Sequence, residues 1–120
     1  MNSHGHVSFS WEKELFIVYV EGAFNEEGVA HYIPLIQEAI LNRKTTEWKR
    51  LEIWNNEALG SPDTLAAAKL IYDWYDENGC YVTAVVTCNN LQTEIIKNIF
   101  RSKAEVFTDI CKAREWLNAL

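Results

Sequence analysis

The sequence predicts an α/β fold in which a mixed, mostly parallel five-stranded sheet is flanked by four helices, in the order ββαβαβαβα. The main observation is the end of the chain, where apolar strands alternate with amphipathic helices: YVTAVVTC, NNLQTEIIKNIFRSK, AEVFTD and ICKAREWLNAL. This alternation is typical of a parallel sheet covered by helices. A second observation is the start of the chain, where two strand-like segments are separated by only a short turn and predict an antiparallel hairpin.

The predicted hairpin pairs an edge strand with a more central one. Val7, Phe9 and Trp11 alternate with polar residues, which indicates a half-exposed strand. Residues 12–14 form the turn, and residues 15–20, LFIVYV, are apolar on both faces. Such a run favours a strand that is covered on both sides.

The first predicted helix begins at Asn25, a residue type that favours the N-cap, and it is followed by acidic residues in the first turn. Its apolar residues recur every three or four positions and predict one buried stripe: Val29, Ile33, Ile36 and Ile40. Pro34 removes a backbone donor, so we expect a kink there or a restart of the helix near Tyr32.

The middle of the chain predicts a strand over Trp48–Trp54, with Leu51 and Ile53 on one face, and then a second helix. Ser61-Pro62-Asp63 is a strong helix start, and Gly79 is the expected stop. The predicted buried face of this helix contains Leu65, Ala68, Tyr72 and Tyr75, widened by Leu70 and Trp74.

The last four elements complete the alternation. Residues 81–88 predict a central strand, and the next helix is expected to bury Leu91, Ile95 and Ile99, with Ile96 and Phe100 beside them. A short strand around Val106 and Phe107 precedes the final helix. That helix presents Ala113, Trp116, Leu117 and Leu120.

Composition limits the class of protein. With 120 residues, 48% of them hydrophobic, the chain predicts one domain over 1–120, with residues 1–5 as a flexible terminus. A net charge of −6 argues against a nucleic-acid partner, because such binding needs a basic face. No apolar run approaches the ~20 residues of a membrane helix, so an integral membrane protein is not expected.

The cysteines and the start of the chain predict a cytoplasmic protein. Cys80, Cys88 and Cys111 are odd in number and lack the C-x-x-C spacing, so we expect reduced thiols buried as small hydrophobic groups. The first ten residues have neither the basic start nor the apolar run of a secretory signal.

Motifs for catalysis or cofactor binding are absent from the sequence. Neither glycine-rich phosphate-binding motif occurs, and His4 and His6 alone are a weak metal site on a terminus. We therefore expect no cofactor, no metal and no enzymatic activity. An enzyme remains a third hypothesis, which rests on Cys88 at a helix start and on the polar loops described next.

Polar residues cluster in the loops that follow the second, third and fourth predicted strands. Ligands of open parallel sheets bind beyond the carboxyl ends of the strands, where these three loops are expected to meet. The candidate binding residues are Glu21, Asn25, Asn55, Asn56, Glu57, Ser61, Asn89 and Asn90. The alternative is purely structural, because Asn and Ser are also the residues that helix caps and turns favour.

Four segments resemble a known family: FIVYVEGAFNEEG, YIPLIQEAI, AVVTCNNLQTEIIKNIF and EVFTDICKAREWL. They are similar to the SpoIIAA-like proteins of the STAS group (sulfate transporter and anti-sigma factor antagonist), which are also compared with CRAL-TRIO lipid-transfer domains. The best match is the last segment, a short strand ending in Phe107 and a helix with Ala-x-x-Trp-Leu. The resemblance implies a single STAS-type domain that is a regulatory or binding module.

The resemblance also implies a role for the loop before the second helix. In anti-sigma factor antagonists this loop holds a phosphorylatable Ser in an Asp-Ser-Ser/Thr-Gly type of motif. Here Ser61 is at the corresponding helix start, but the loop, residues 55–61, lacks that motif. Ser61 is therefore a candidate phospho-acceptor without an intact phosphorylation motif, and the alternative is a plain N-cap.

Two main hypotheses follow. The first is a cytoplasmic regulatory module that binds a protein partner through residues 55–61, with a homodimer through the first strand as a further option. The second is a domain that binds a small-molecule or lipid-like ligand, which the aromatic content and the CRAL-TRIO comparison favour. An enclosed apolar cavity of several hundred Å³ would support the second, and a solid core with an exposed surface around Ser61 would support the first.

Overall fold

The helices and strands follow the predicted alternation, with two short strands added. The structure, a computed structural model, describes residues 4–99 and 103–120. Within these residues the strands are β1 (His6–Glu12), β2 (Leu15–Glu21), β3 (Ala23–Phe24), β4 (Trp48–Trp54), β5 (Leu59–Gly60), β6 (Cys80–Val86) and β7 (Ala104–Phe107). The helices are α1 (Glu26–Arg43), α2 (Pro62–Glu77), α3 (Asn90–Ile99) and α4 (Ile110–Asn118).

The main sheet has five strands in the order β1-β2-β4-β6-β7. Strand β1 is antiparallel to β2 and lies at the edge, while β2, β4, β6 and β7 are mutually parallel. This arrangement confirms the predicted mixed, mostly parallel five-stranded sheet. Strands β3 and β5 form a separate parallel pair, which pattern analysis misses because two residues are too few to show alternation.

Helices cover the two faces of the sheet unequally. The parallel strands advance in one direction from β2 to β7, so crossovers of one hand place α1, α2 and α3 on the same face. Accordingly, Ile96 of α3 packs with Val85 and Trp54, whereas Ala113 and Leu117 of α4 pack with Val82 and Ala84 on the opposite face. Helices on both faces are as predicted, but their three-to-one distribution is not.

An aromatic cluster fills the core beneath α1 and α2. The ring of Trp48 is fully buried and lies 5.7 Å from Trp11, 5.9 Å from Phe16 and 5.7 Å from Tyr75, measured between ring centroids. Its indole Nε1 donates to the backbone oxygen of Asn78 at 2.8 Å, which satisfies the buried polar group. The cluster therefore joins the first hairpin to the end of α2.

The opposite face has a smaller core under α4. Leu51 and Ile53 both face this core, as predicted. The Lys49 ammonium donates to the backbone oxygens of Leu117 at 2.6 Å and Leu120 at 3.0 Å. A cation at these terminal carbonyls compensates the negative end of the helix and fixes α4 on the sheet.

Two predictions about the helices need correction. Helix α1 continues without interruption from Glu26 to Arg43 with Pro34 inside it, so the restart near Tyr32 is wrong, while the alternative of a kink at Pro34 stays a prediction. Leu70 is 69% exposed and Leu91 is 59% exposed, although both were expected to belong to buried faces. In α2 the buried positions are Thr64, Ile71 and Tyr75, and in α3 they are Gln92, Ile96 and Ile99. The buried face of α3 is thus displaced by about one residue from the predicted face. Phe100, which was also expected on that face, lies outside the described residues.

The expectation that all three thiols are buried holds for Cys80 only. Cys80 lies in the core, whereas Cys88 and Cys111 are exposed. Cys88 follows the end of β6 and lies beyond the sheet, and Cys111 is on the outer side of a helix that buries Ala113 and Leu117. The few apolar residues that flank a cysteine in the sequence do not distinguish the exposed Cys88 and Cys111 from the buried Cys80.

The helix starts and stops agree well with the sequence signals. Asn25 and Ser61 are the N-caps of α1 and α2, as predicted. Gly79 follows the end of α2 with φ +105°, and a Cβ atom there would collide with the backbone oxygen of Thr46. The backbone N–H of His4 donates to Asn25 Oδ1 at 3.0 Å, while residues 1–3 of the expected flexible terminus lie outside the described residues.

Candidate functional site

The three polar loops meet at one edge of the sheet, because β2, β4 and β6 are parallel and end on the same side. We call residues 21–25, 55–61 and 87–90 the polar rim. Direct hydrogen bonds connect its parts: Gly22 N–H donates to Asn55 Oδ1 at 3.2 Å, and Asn89 Nδ2 donates to Asn56 Oδ1 at 3.2 Å. The backbone pairing of β3 with β5 adds a further connection.

The side chain of Gln92, in the first turn of α3, forms hydrogen bonds with the backbone of the polar rim. Its side chain is fully buried, and its Nε2 donates to the backbone oxygens of Asn55 at 2.7 Å and Ala58 at 3.2 Å. Its Oε1 accepts the backbone N–H of Cys88 at 2.8 Å. Sequence analysis missed this residue; the available signal is its spacing of four and seven residues before the buried Ile96 and Ile99.

Several candidate residues use their side chains to hold the rim together. Asn25 Oδ1 accepts from Gly28 N–H at 2.8 Å and so caps α1. Asn55 Oδ1 accepts from Glu57 N–H at 3.1 Å as well as from Gly22, and Asn89 Oδ1 accepts from Gln92 N–H at 2.9 Å. These contacts are the turn and capping roles that the structural alternative describes.

Other candidate residues lie on the exposed side of the rim, and Asn56 is both exposed and hydrogen-bonded to Asn89. Glu21, Asn56, Glu57 and Asn90 are exposed, and they surround the bonded amides of the rim. The arrangement thus has two layers, with inner amides that fix the backbone and outer groups that remain accessible. A surface of this kind is able to hydrogen-bond a polar partner without rearranging.

Ser61 is exposed at the end of the rim and acts as the N-cap of α2. Its Oγ accepts from Thr64 N–H at 3.2 Å and lies 3.0 Å from the Thr64 hydroxyl. Pro62 follows it and has no N–H to offer a bound anion. Asp63 lies in the first turn of the helix, so it would repel a phosphate group on Ser61.

A second feature lies between the sheet and the first two helices. This α1–α2 cleft has a volume of about 80 Å³ and is lined mainly by apolar side chains. Its walls include Val18, Ile33, Ile36, Glu52, Ala68 and Tyr72. The volume is well below the 300–1,000 Å³ of typical drug-sized ligand sites.

Two opposite charges are buried beside the cleft. Arg50 and Glu52 are each 1% exposed, and Arg50 Nε lies 3.7 Å from Glu52 Oε1. Trp54 Nε1 donates to Glu52 Oε2 at 2.8 Å, and the Tyr72 hydroxyl donates to the same oxygen at 3.2 Å. Sequence analysis missed the pair; its signal is alternation within WKRLEIW, which places both charges on the face of Trp48 and Trp54.

Burial and neighbouring charges shift the pKa values of this cluster. The Arg50 guanidinium lies 4.0 Å from the ring centroid of Tyr75 and 5.3 Å from that of Tyr72. Burial acts to lower the pKa of Arg50, but the Glu52 carboxylate and other neighbours raise it, and the net shift is upward. Burial is also the largest cause that raises the pKa of Tyr72 and Tyr75. Arg50 therefore keeps its charge, and the two tyrosines remain neutral phenols.

Metal-binding and membrane-spanning features were sought in the same residues. Within 4–99 and 103–120, no group of three or more His, Cys, Asp or Glu side chains is placed to hold a metal ion. His6 Nδ1 instead lies 3.0 Å from the Tyr32 hydroxyl. In the part of the chain that the structure describes, none of the helices combines the length and apolar character needed to cross a membrane.

Solved structures of similar fold place these features in context. An uncharacterized protein of the DUF3478 family with a SpoIIAA-like fold, from Shewanella loihica PV-4, has a TM-score of 0.67 and 17% identity, covering 98% of this chain and 96% of its own. The anti-sigma factor antagonist SpoIIAA in its unphosphorylated form has a TM-score of 0.59 and 13% identity, covering 98% of this chain and all of its own, 100%. No protein-family model and no curated protein sequence matches this chain. The chain thus has the SpoIIAA-like fold that the sequence resemblance indicates.

Proposed function

We propose that the protein is a cytoplasmic regulatory module that binds a protein partner through the polar rim and the first turn of α2, and that it is not an enzyme. The observation that carries the proposal is the two-layered rim. Gln92 and the inner amides hold its backbone, while Asn56, Glu57 and Ser61 stay exposed.

The polar rim is already ordered before a partner binds, and this pre-organisation is the physical support for the proposed function. Ordering side chains and loops on binding costs free energy, and a surface that is already held in place avoids much of that cost. The fold supports a regulatory role as well, because one protein of the same fold is an anti-sigma factor antagonist. The likeness to that protein concerns the fold.

The capping role of Ser61 supports binding that does not depend on phosphorylation. Its hydroxyl already caps α2, and the neighbouring Asp63 carboxylate opposes a second negative group. We therefore propose a rim that recognises its partner in the unmodified state.

The test is a quantitative affinity capture from the native cell, with the wild-type protein and two charge reversals as baits. Glu57→Lys changes an exposed rim carboxylate, and Glu115→Lys makes the same change on the exposed side of α4. We expect Glu57→Lys to lower the recovery of the bound partner at least about tenfold, because a misplaced charge at an interface costs more than about 1.4 kcal/mol. Glu115→Lys should leave recovery unchanged.

Two results would contradict the proposal. One is equal recovery of the same partner by both variants, which would move the interface away from the rim. The other is the absence of any protein enriched by the wild type over an empty matrix.

A further inference from the structure

The α1–α2 cleft is distinct from the exposed layer of the polar rim, and its walls limit what it can hold. A volume of roughly 10–15 Å³ admits one water molecule, so about 80 Å³ admits a body the size of one ring or a short alkyl chain. Side chains from the strands and from both helices form its apolar walls, including Val18 of β2, Ile36 of α1 and Ile71 of α2. Burial of an apolar body there would be favourable by area alone.

The charges beside the cleft select against charged ligands. Glu52 lines the cleft, and Arg50 lies behind it as its ionic partner. An anion would face the Glu52 carboxylate, and a cation would enter a cluster that Arg50 already neutralises. Because an additional buried charge without its own partner is costly, a neutral ligand fits best.

The Glu52 carboxylate in the wall specifies the direction of any hydrogen bond that is made to it. An ionised carboxylate only accepts hydrogen bonds, and its two oxygens together offer about four lone-pair positions. Trp54 and Tyr72 both donate to Oε2 of Glu52, and Arg50 Nε approaches Oε1 at 3.7 Å, which is longer than a hydrogen bond. A ligand group that meets this carboxylate must therefore be a donor.

We propose that the α1–α2 cleft binds a small neutral molecule with a ring-sized apolar body and one hydrogen-bond donor, which donates to Glu52. Alcohols and phenols share this chemistry. The proposal does not rest on a partner of the polar rim: most of the cleft is lined by the inner faces of α1, α2 and the sheet, and the rim contributes Phe24 and Ala58 to its wall.

The experiment is an NMR titration of the isolated protein with four probes: phenol, toluene, benzoate and benzylammonium. We expect saturable shifts of the Val18, Ile36 and Ile71 methyl groups with phenol. Toluene has the same shape without the donor and should bind at least about fivefold more weakly, the value of one net hydrogen bond. Benzoate and benzylammonium should give no saturable shifts at these methyl groups.

Matched variants locate the site. Ala68→Leu fills the cleft from α2 and should abolish the phenol shifts, whereas Ala66→Leu adds the same side chain at an exposed position of that helix and should preserve them. If the Ala68 variant does not fold, Ile33→Phe fills the cleft from α1 and replaces it in the comparison.

The proposal is overturned by any of three results: no saturable phenol binding, toluene or a charged probe binding as tightly as phenol, or phenol binding that survives the filling variant. The titration uses no partner protein, so its failure would leave the function of the polar rim unaffected.

Discussion

Arg50 and Glu52 are the residues whose burial departs most from what their chemistry favours. Moving two ions out of water costs several kcal/mol each, and their mutual attraction offsets this only with good geometry and added hydrogen bonds. Here the added contacts are the donors Trp54 and Tyr72 on Glu52 and the ring of Tyr75 beneath Arg50. The two charges thus stabilise each other in the core.

At the residue scale we predict a non-additive pair of substitutions. Glu52→Leu alone should lower the free energy of unfolding by about 3–5 kcal/mol, because it leaves the Arg50 charge in the core without its counter-ion. The double variant Arg50→Met, Glu52→Leu should lose less than the single one, because it buries no charge. Urea unfolding followed by tryptophan fluorescence measures these two variants and Arg50→Met alone, and a double variant as unstable as the sum of the two single changes would contradict this account.

Helix α3 acts on the polar rim through one side chain. Gln92 connects it to the backbone at Asn55, Ala58 and Cys88, so the loop between β4 and α2 depends on an element that follows it by more than thirty residues. Ile96 and Ile99 anchor the same helix face in the core. Loop geometry at the rim is therefore decided by how α3 docks on the sheet.

At the element scale we predict that Gln92→Leu loosens the rim. The change leaves two backbone oxygens and one N–H without their partner, which should cost about 1–3 kcal/mol in the free energy of unfolding. Hydrogen exchange should accelerate over residues 55–61 more than over β2. Glu94→Leu places the same side chain at an exposed position of α3 and is the control; equal exchange in both variants would show that Gln92 does not hold the rim.

The whole molecule concentrates its ionisable core groups on the face covered by three helices. Burial is the main cause that raises the pKa values of Tyr72, Tyr75 and Cys80 above their ordinary values of 10.0, 10.0 and 9.0. The Arg50 charge opposes each of these shifts without reversing it. On the α4 face, Lys49 reaches carbonyl groups at the helix end instead.

At the scale of the whole molecule we predict a loss of stability at alkaline pH. As pH rises above about 9–10, the unfolded chain releases these protons while the folded protein keeps them, so the unfolded state binds fewer protons and the free energy of unfolding falls. Each group contributes a slope of up to about 1.4 kcal/mol per pH unit until its folded pKa is reached. Urea unfolding between pH 8 and pH 11 measures the slope.

A matched pair of variants tests the cause of this slope. Tyr75→Phe removes a buried phenol and should make the slope shallower; Tyr81→Phe makes the same change at a tyrosine that is 46% exposed and is the control. An identical slope for the wild type and the Tyr75 variant would exclude that phenol as a source.

Local pattern in the sequence was sufficient for the order of the four helices and the five strands of the main sheet, and for several boundaries, although it missed β3 and β5. Hydrophobic periodicity identifies strands and helices because it depends only on neighbours along the chain. Capping is equally local, so Asn25, Ser61 and Gly79 could be assigned to helix ends without knowledge of the fold. The location of the polar rim followed from a topological rule for parallel strands rather than from any motif.

The sequence alone determined the mixed parallel sheet, its antiparallel edge strand and the edge where the polar loops end. Only the tertiary structure decided that Arg50 and Glu52 are buried, that Gln92 rather than Leu91 faces the core, and that Cys88 is exposed. The physical reason is that the burial of a polar or borderline residue depends on partners far along the chain. Those partners become neighbours only when the helices dock on the sheet.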